Sequence, residues 1–250
     1  MCSPAIVLLF RPRVRYPAAI SARQLFGVLG IADRIVNPFA SRCVRPDNNV
    51  YRFHLDPQLD HSSRAEFVEN LLATLRLSRR VAVVGPHGTG KTTLLKTVLP
   101  DLQGQFDRVA WITLSSATKH RYRQLLSSVD IFPATSTCLI VDGYEQLTWW
   151  DRIGLIKSLH SRPLLSLIVT CHRWPWLIPT CHQTQWNETM SRFLTEEKLA
   201  AVPQATRLTL WSAFENRLQD AAGVNQNLRE IWFAMYDEFE LIRHRERQQS

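Results

Sequence analysis

The chain has 250 residues, 45% of them hydrophobic, enough to bury one substantial core with a small appendage. No apolar run approaches the ~20 residues of a membrane-spanning helix, and five scattered cysteines (Cys2, Cys43, Cys138, Cys171, Cys181) do not look like a disulfide framework, so a soluble protein of the reducing cytoplasm is expected. The formal charge of +8 permits contact with phosphates, nucleic acid or an acidic surface, without a motif that selects among them.

Residues 1–35 carry Arg11, Arg13, Arg15 and Arg23 and no acid before Asp33. That is the acid-poor look of a transit peptide, but an amphipathic repeat and a cleavage-like end are missing, so a poorly ordered extension is expected. Residues 36–60 read as extended chain with turns. Ser63 and Glu66 form a capping-box pair, and Phe67, Leu71, Leu72 and Leu75 recur at helical spacing, predicting a helix over 63–77. Residues 80–84, Arg-Val-Ala-Val-Val, are short, β-branched and apolar on both faces, as a buried parallel strand is. A helix over 92–98 follows and is expected to stop at Pro100. Residues 108–114 read as a second strand, 121–129 as a helix, 137–142 as a third strand, 150–159 as a helix and 164–170 as a fourth strand.

Alternating strands and helices at this spacing require crossover connections, and so predict a three-layer α/β fold with a mostly parallel sheet. Beyond residue 186 only helical periodicity remains, over 188–199, 206–222 and 228–247. The last of these places Leu228, Ile231, Trp232, Met235, Phe239 and Ile242 on one apolar stripe. The organisation read from this is an extension (1–35), a nucleotide-binding core (36–186), and a helical lid or partner-binding region (187–250) through which a protein partner or a second copy would dock.

The chemistry is concentrated where the first strand ends. Gly85-Pro86-His87-Gly88-Thr89-Gly90-Lys91-Thr92 fits the P-loop pattern GxxxxGK[ST], and it lies between a buried strand and a helix, where its amides can close around phosphate at the helix's positive end. Residues 85–92 with Thr93 are therefore the candidate site for a nucleoside triphosphate. Lys91 would supply charge to the β and γ oxygens, and the Thr92 hydroxyl suits Mg²⁺. Asp142 ends the third strand after Leu139-Ile140-Val141, the Walker B form, and is the second candidate Mg²⁺ ligand; a turn or cap residue before Gly143 reads the same way. Glu145 is the candidate base for water, although a glutamate opening a helix would look alike. Thr170, at the end of the fourth strand, is a candidate γ-phosphate sensor if the P-loop strand lies between the third and fourth strands. Arg173 reads as a solvated arginine. Tyr51, Arg52 and Phe53 are placed to flank a base, with core packing an equal reading for Phe53.

The P-loop, Val141-Asp142-Gly143-Tyr144-Glu145-Gln146-Leu147 and Ile168-Val169-Thr170-Cys171-His172-Arg173 together resemble the ATPase core of the AAA+ and STAND class, the DG-x-acid arrangement being similar to its NACHT branch. The chain also resembles a group of bacterial single-domain P-loop proteins with an NPF-x-x-R-x-VRP segment, here Asn37-Pro38-Phe39, Arg42 and Val44-Arg45-Pro46. The resemblance covers roughly residues 36–182 and implies a P-loop core fold and a preference for ATP. Gln146 stands where a NACHT protein has a second acid, so signalling and assembly are not carried over.

Two further patterns compete. Cys171-His172 and Cys181-His182 suggest a zinc site, but adjacent strand residues point to opposite faces, which favours buried cysteine and surface histidine. Trp149, Trp150, Trp174 and Trp176 are amphipathic and could make a partner surface, yet tryptophan beside apolar helix positions is more often core, which is the expected place. The sequence thus predicts a Mg²⁺-dependent ATPase that couples nucleotide state to conformation; the alternative is an ATP-binding switch or adaptor with little hydrolysis.

Overall fold

Strands buried on both faces decide the architecture. The computed structural model describes residues 7–10, 36–59, 63–118, 122–124, 135–220 and 227–249. Its sheet comprises β1 (Val7–Phe10), β2 (Arg80–Val84), β3 (Arg108–Thr113), β4 (Thr137–Asp142), β5 (Leu165–Cys171) and β6 (Thr180–Gln183), in the order β1-β3-β4-β5-β2-β6. Successive residues point to opposite faces, and both faces are apolar. Val81, Val83, Val109, Trp111, Ile140 and Ile168 pack against α1 (Arg64–Ser78) and α2 (Lys91–Gln105). Ala82, Val84, Ala110, Ile112, Leu139, Val141, Leu167 and Val169 pack against α3 (Trp149–Ser161) on the other side. The result is the expected three-layer α/β fold with a mostly parallel sheet.

All pairings from β3 to β6 are parallel, and β1 joins β3 antiparallel as an edge strand. Four residues of the segment expected as a poorly ordered extension are therefore part of the sheet; its other residues lie outside those described. The P-loop strand does not lie between the third and fourth predicted strands, the arrangement on which the Thr170 reading depends. The fourth predicted strand, β5, is inserted between β4 and the P-loop strand β2, which instead lies between β5 and β6. Burial explains this, since β4 and β5 are almost wholly buried along their lengths and such strands belong in the middle of a sheet. β6 has no counterpart in the predicted elements. Its Thr-Cys-His-Gln sequence lacks an apolar run, yet it pairs with β2, and His182 is buried against Asp56 at 2.9 Å.

Helix ends follow the sequence chemistry. Ser63 Oγ accepts from the Glu66 amide, Thr148 Oγ1 from that of Asp151 and Asn187 Oδ1 from that of Met190, capping α1, α3 and α4 (Glu188–Leu199). Pro100 does not end α2, which runs on to Gln105. A mid-helix proline costs about 3 kcal/mol, but the turn after it carries Leu102 into the core with no exposed surface, and tertiary burial prevails over local preference. Of the helix predicted over 121–129, only residues 122–124 fall among those described, and they are helical.

The last three helices, α4, α5 (Gln204–Asp220) and α6 (Leu228–Gln249), form a second apolar cluster around Leu210, Phe214, Trp232, Met235 and Phe239. Phe39 and Val44 are buried in that cluster, and Asn37 Nδ2 donates to the Tyr236 carbonyl at 3.1 Å and to Glu240 at 2.9 Å. The segment read as the start of the core thus packs with the C-terminal helices. The tryptophans expected inside are on the surface: Trp150, Trp174 and Trp176 are 74%, 71% and 64% exposed, and Trp149 is half-exposed and stacked on Trp176.

Candidate nucleotide site

At the C-terminal end of the sheet, β2 turns into the loop that opens α2. Two cross-strand bonds hold the turn: the Gly85 amide donates to the Cys171 carbonyl at 3.1 Å, and the Thr184 amide to that of Val84 at 2.7 Å. The Thr89 hydroxyl lies 2.6 Å from that of Thr184 and donates to the Pro86 carbonyl at 2.9 Å. Gly88 and Gly90 have positive φ, 76° and 92°. Gly88 could not be replaced without displacement, because the carboxamide of Asn227 occupies the space of a Cβ.

Lys91 is buried, with Nζ donating to the Gly85 and Pro86 carbonyls at 2.6 Å each. Burial lowers its affinity for a proton, while Glu145 and Asp142 pull it back up. Thr92 Oγ1 lies 3.1 and 3.0 Å from the two oxygens of Asp142. Thr170 Oγ1 donates to Asp142 Oδ1 at 2.6 Å and accepts from the Gly143 amide at 3.0 Å. Burial raises Asp142 above the usual carboxylate range; the Thr170 and Thr92 hydroxyls and Lys91 offset this in part, and Glu145 adds to it. Asp142 is therefore neither a helix cap nor a turn residue but a strand-end carboxylate gripped by two hydroxyls. Thr170 is buried, lines the cavity and is bonded to Asp142. Thr93 lines the cavity, its carbonyl accepting from Thr97.

Glu145 lies in a single 3-10 turn, Tyr144–Gln146, ahead of the α3 cap Thr148, and so does not open a helix. Gly143, at φ 89°, makes the turn possible: a Cβ there would come within 2.6 Å of the Leu114 carbonyl. Arg152 donates to the Glu145 carbonyl at 2.8 Å and fixes the turn from α3. Glu145 Oε1 stands 3.4 Å from His172 Nε2, and Oε2 is buried without a hydrogen-bond partner. His172 in turn lies against His87 of the loop, ring centroids 3.6 Å apart.

These groups open onto a cavity of about 400 Å³, within the usual range for small-molecule sites. Its far wall comes from Val50, Tyr51, Trp186, Met190 and Leu194, and from Asn227, Leu228, Arg229 and Trp232 at the start of α6. Of the expected base-flanking residues, Tyr51 lines the cavity beside Gly90, Phe53 is buried in the core, and Arg52 pairs with Glu197 on the surface. Arg173 is exposed. No cluster of three metal-ligating side chains of the His, Cys, Asp or Glu type occurs among the described residues, so the two Cys-His pairs do not converge as a zinc site there. The α6 residues and His172 were not predicted in this site. Their only sequence signals were an Asn-x-x-Glu cap at Asn227 and Glu230, and a histidine two residues past a strand-end threonine.

The donor set fits Mg²⁺ and a triphosphate. Two hard oxygen groups, Thr92 and Asp142, meet beside a buried ammonium at the N-terminus of α2, and a second carboxylate has one uncommitted buried oxygen.

Among known families, the model of the NB-ARC domain matches residues 63–130, which include α1, the phosphate loop, α2 and β3. No curated protein matches the chain in sequence. Solved structures with a similar arrangement include C. elegans PCH-2, with 12% identity, a TM-score of 0.48, and 79% of this chain and 72% of that one covered. A DNA replication initiation factor aligns at 16% identity, with a TM-score of 0.49 and 81% and 67% covered. AMPPCP-bound DnaA from Aquifex aeolicus aligns at 14% identity, with a TM-score of 0.44 and 72% and 64% covered. The likenesses to the NACHT branch and to the bacterial single-domain group remain likenesses. With β5 set between the Asp142 strand and the P-loop strand, the chain has the three-layer fold of a P-loop NTPase, and its residues 63–130 are similar to the NB-ARC domain.

Proposed function

We propose that the protein is a Mg²⁺-dependent ATPase whose nucleotide state is read by its C-terminal helices. The observation that carries this reading is the convergence of Thr92 and Thr170 on Asp142, beside Lys91 and the unpaired oxygen of Glu145. The amides of residues 85–92 and the Lys91 ammonium would bind the phosphates; Lys91 would exchange its two carbonyl partners for phosphate oxygens. Thr92 and Asp142 would hold Mg²⁺, and Thr170 keeps the carboxylate in position. When bound, Mg²⁺ would supply positive charge against the phosphate oxygens. Glu145 would orient a water and take its proton as that water's oxygen bonds to the terminal phosphorus and the bond to the leaving diphosphate breaks.

A second reading, an ATP-dependent switch with little hydrolysis, is favoured by one feature. Glu145 is three residues past Asp142 and one of its oxygens already faces His172. Titration with Mg²⁺-ATP and a phosphate-release assay separate the two. Lys91→Ala is expected to weaken binding by about 30-fold or more, from the loss of about 2 kcal/mol of charge-assisted bonding. Glu145→Gln is expected to bind normally and to lower the release rate by about 100-fold or more. No binding by the wild-type protein would overturn both readings, and binding without release would leave only the switch. Mass spectrometry of nucleotide retained on native purification would identify the purine.

A further inference from the structure

His172 stands beside Glu145 and His87 against His172, and neither has a task in the ATPase reading. His87 is the third residue of the phosphate loop and is exposed; His172 follows the last residue of β5 and is half-buried. The Gly85–Cys171 backbone bond fixes the loop to the end of β5, so the two imidazoles are brought together by the sheet itself. Their rings are 3.6 Å apart at a tilt of 58°, closer than the usual spacing of aromatic side chains. Two protonated imidazoles at that distance would repel strongly, so the pair discourages a second charge. On its other side His172 faces Glu145, with Nε2 to Oε1 at 3.4 Å. The remaining Glu145 oxygen is buried and makes no hydrogen bond.

We propose that His172 is a positioning residue that gates hydrolysis through Glu145. Neutral, it leaves the carboxylate free to take a proton from water; protonated, it draws Glu145 into an ion pair and turnover stops. The proposal rests on Glu145 as the base.

The charged groups facing His172 come from two sides. Glu145 and Asp142, from β4 and the turn after it, favour its protonated form; Lys91 and His87, from α2 and the loop, oppose it. Burial is the largest influence and leaves His172 below the ordinary histidine range. It is therefore neutral at neutral pH and gains its proton only on acidification beyond the ordinary histidine range, where the gate closes.

Two measurements test this. In the first, phosphate release at saturating Mg²⁺-ATP is compared at pH about 7.5 and about 5.5, with nucleotide affinity measured separately; the wild-type rate is expected to fall by about twofold or more while affinity changes less. His172→Gln, with His172→Asn as a second variant should the first not fold, is expected to abolish most of that fall, so the readout is a ratio of rates within one variant. In the second, the His172 ring is titrated by NMR without nucleotide. Glu145→Gln is expected to move its midpoint to lower pH and His87→Gln to higher pH. An unchanged rate ratio in both His172 variants, or a midpoint indifferent to Glu145→Gln, overturns the gate while leaving the ATPase reading intact. Coupled midpoints together with turnover that survives Glu145→Gln overturn the assignment of the base, and the gate with it.

Discussion

Asp142 occupies a position where its charge is costly to the fold. It is 9% exposed at the end of a fully buried strand, and burial raises its proton affinity despite bonds from Thr170 and Thr92. The sign of its effect on stability follows from linkage. A carboxyl whose folded pKa is raised stabilises the fold in its neutral form at low pH, and that contribution is lost as pH rises through the folded value. At neutral pH the ionised group therefore opposes folding. Asp142→Asn, which keeps most of the shape and accepts hydrogen bonds through its carbonyl oxygen, is expected to stabilise the nucleotide-free protein by about 1 kcal/mol, or about 2–4 °C in melting temperature. The same change should remove the Mg²⁺ dependence of nucleotide binding. Thermal melts and a titration with and without Mg²⁺ check both halves. A lower melting temperature would show that the hydroxyl–carboxylate bonds outweigh the buried charge.

The secondary-structure elements show how far local pattern reaches. The strand, loop and helix around residues 80–98, and Asp142 at its strand end, were legible because each combines a hydrophobic period with residue types that a turn or a phosphate requires. Helix α2 overran its predicted stop because the signal at Pro100 is local whereas the burial of Leu102 is tertiary. Pro100 is exposed and contributes little packing, so Pro100→Ala is expected to restore a backbone donor and stabilise the protein by about 1 kcal/mol; calorimetry would show the gain, and a loss would mean that the proline is pre-set for a bend that the core needs. β6 was not legible for the opposite reason. Its polar His182 is buried only because Asp56, far away in sequence, accepts its proximity and also receives the hydroxyl of Tyr51. Burial raises the proton affinity of Asp56, but these partners and the Gln58 amide outweigh it and hold the carboxyl below its ordinary range. No window of neighbouring residues contains such a partnership. The same holds for His172, whose partners Glu145 and His87 lie on other elements.

At the scale of the molecule, the phosphate loop belongs to the sheet but its roof belongs to the C-terminal helices. Asn227 caps α6 by accepting from the Arg229 amide at 3.1 Å, donates to Glu230 at 3.1 Å, and lies against Gly88. Arg229, Leu228 and Trp232 complete that wall of the cavity. A ligand in the cavity would therefore touch both layers. Mg²⁺-ATP is expected to slow amide hydrogen exchange by about tenfold or more in the first turns of α6 as well as in residues 85–92; protection confined to the loop would mean that α6 does not respond to nucleotide. The surface carries its own reporter of events at the site. Trp149 stands shortly after the Glu145 turn and Trp176 shortly after His172, and their indoles are stacked with centroids 5.0 Å apart, inclined by 23°. Two such chromophores couple their electronic transitions, giving a paired positive and negative band in the far-ultraviolet circular dichroism whose intensity depends on their mutual orientation. Any movement of the Glu145 turn relative to the His172 segment would be transmitted to that pair, so the protein holds an optical gauge across the two groups on which its chemistry is proposed to turn.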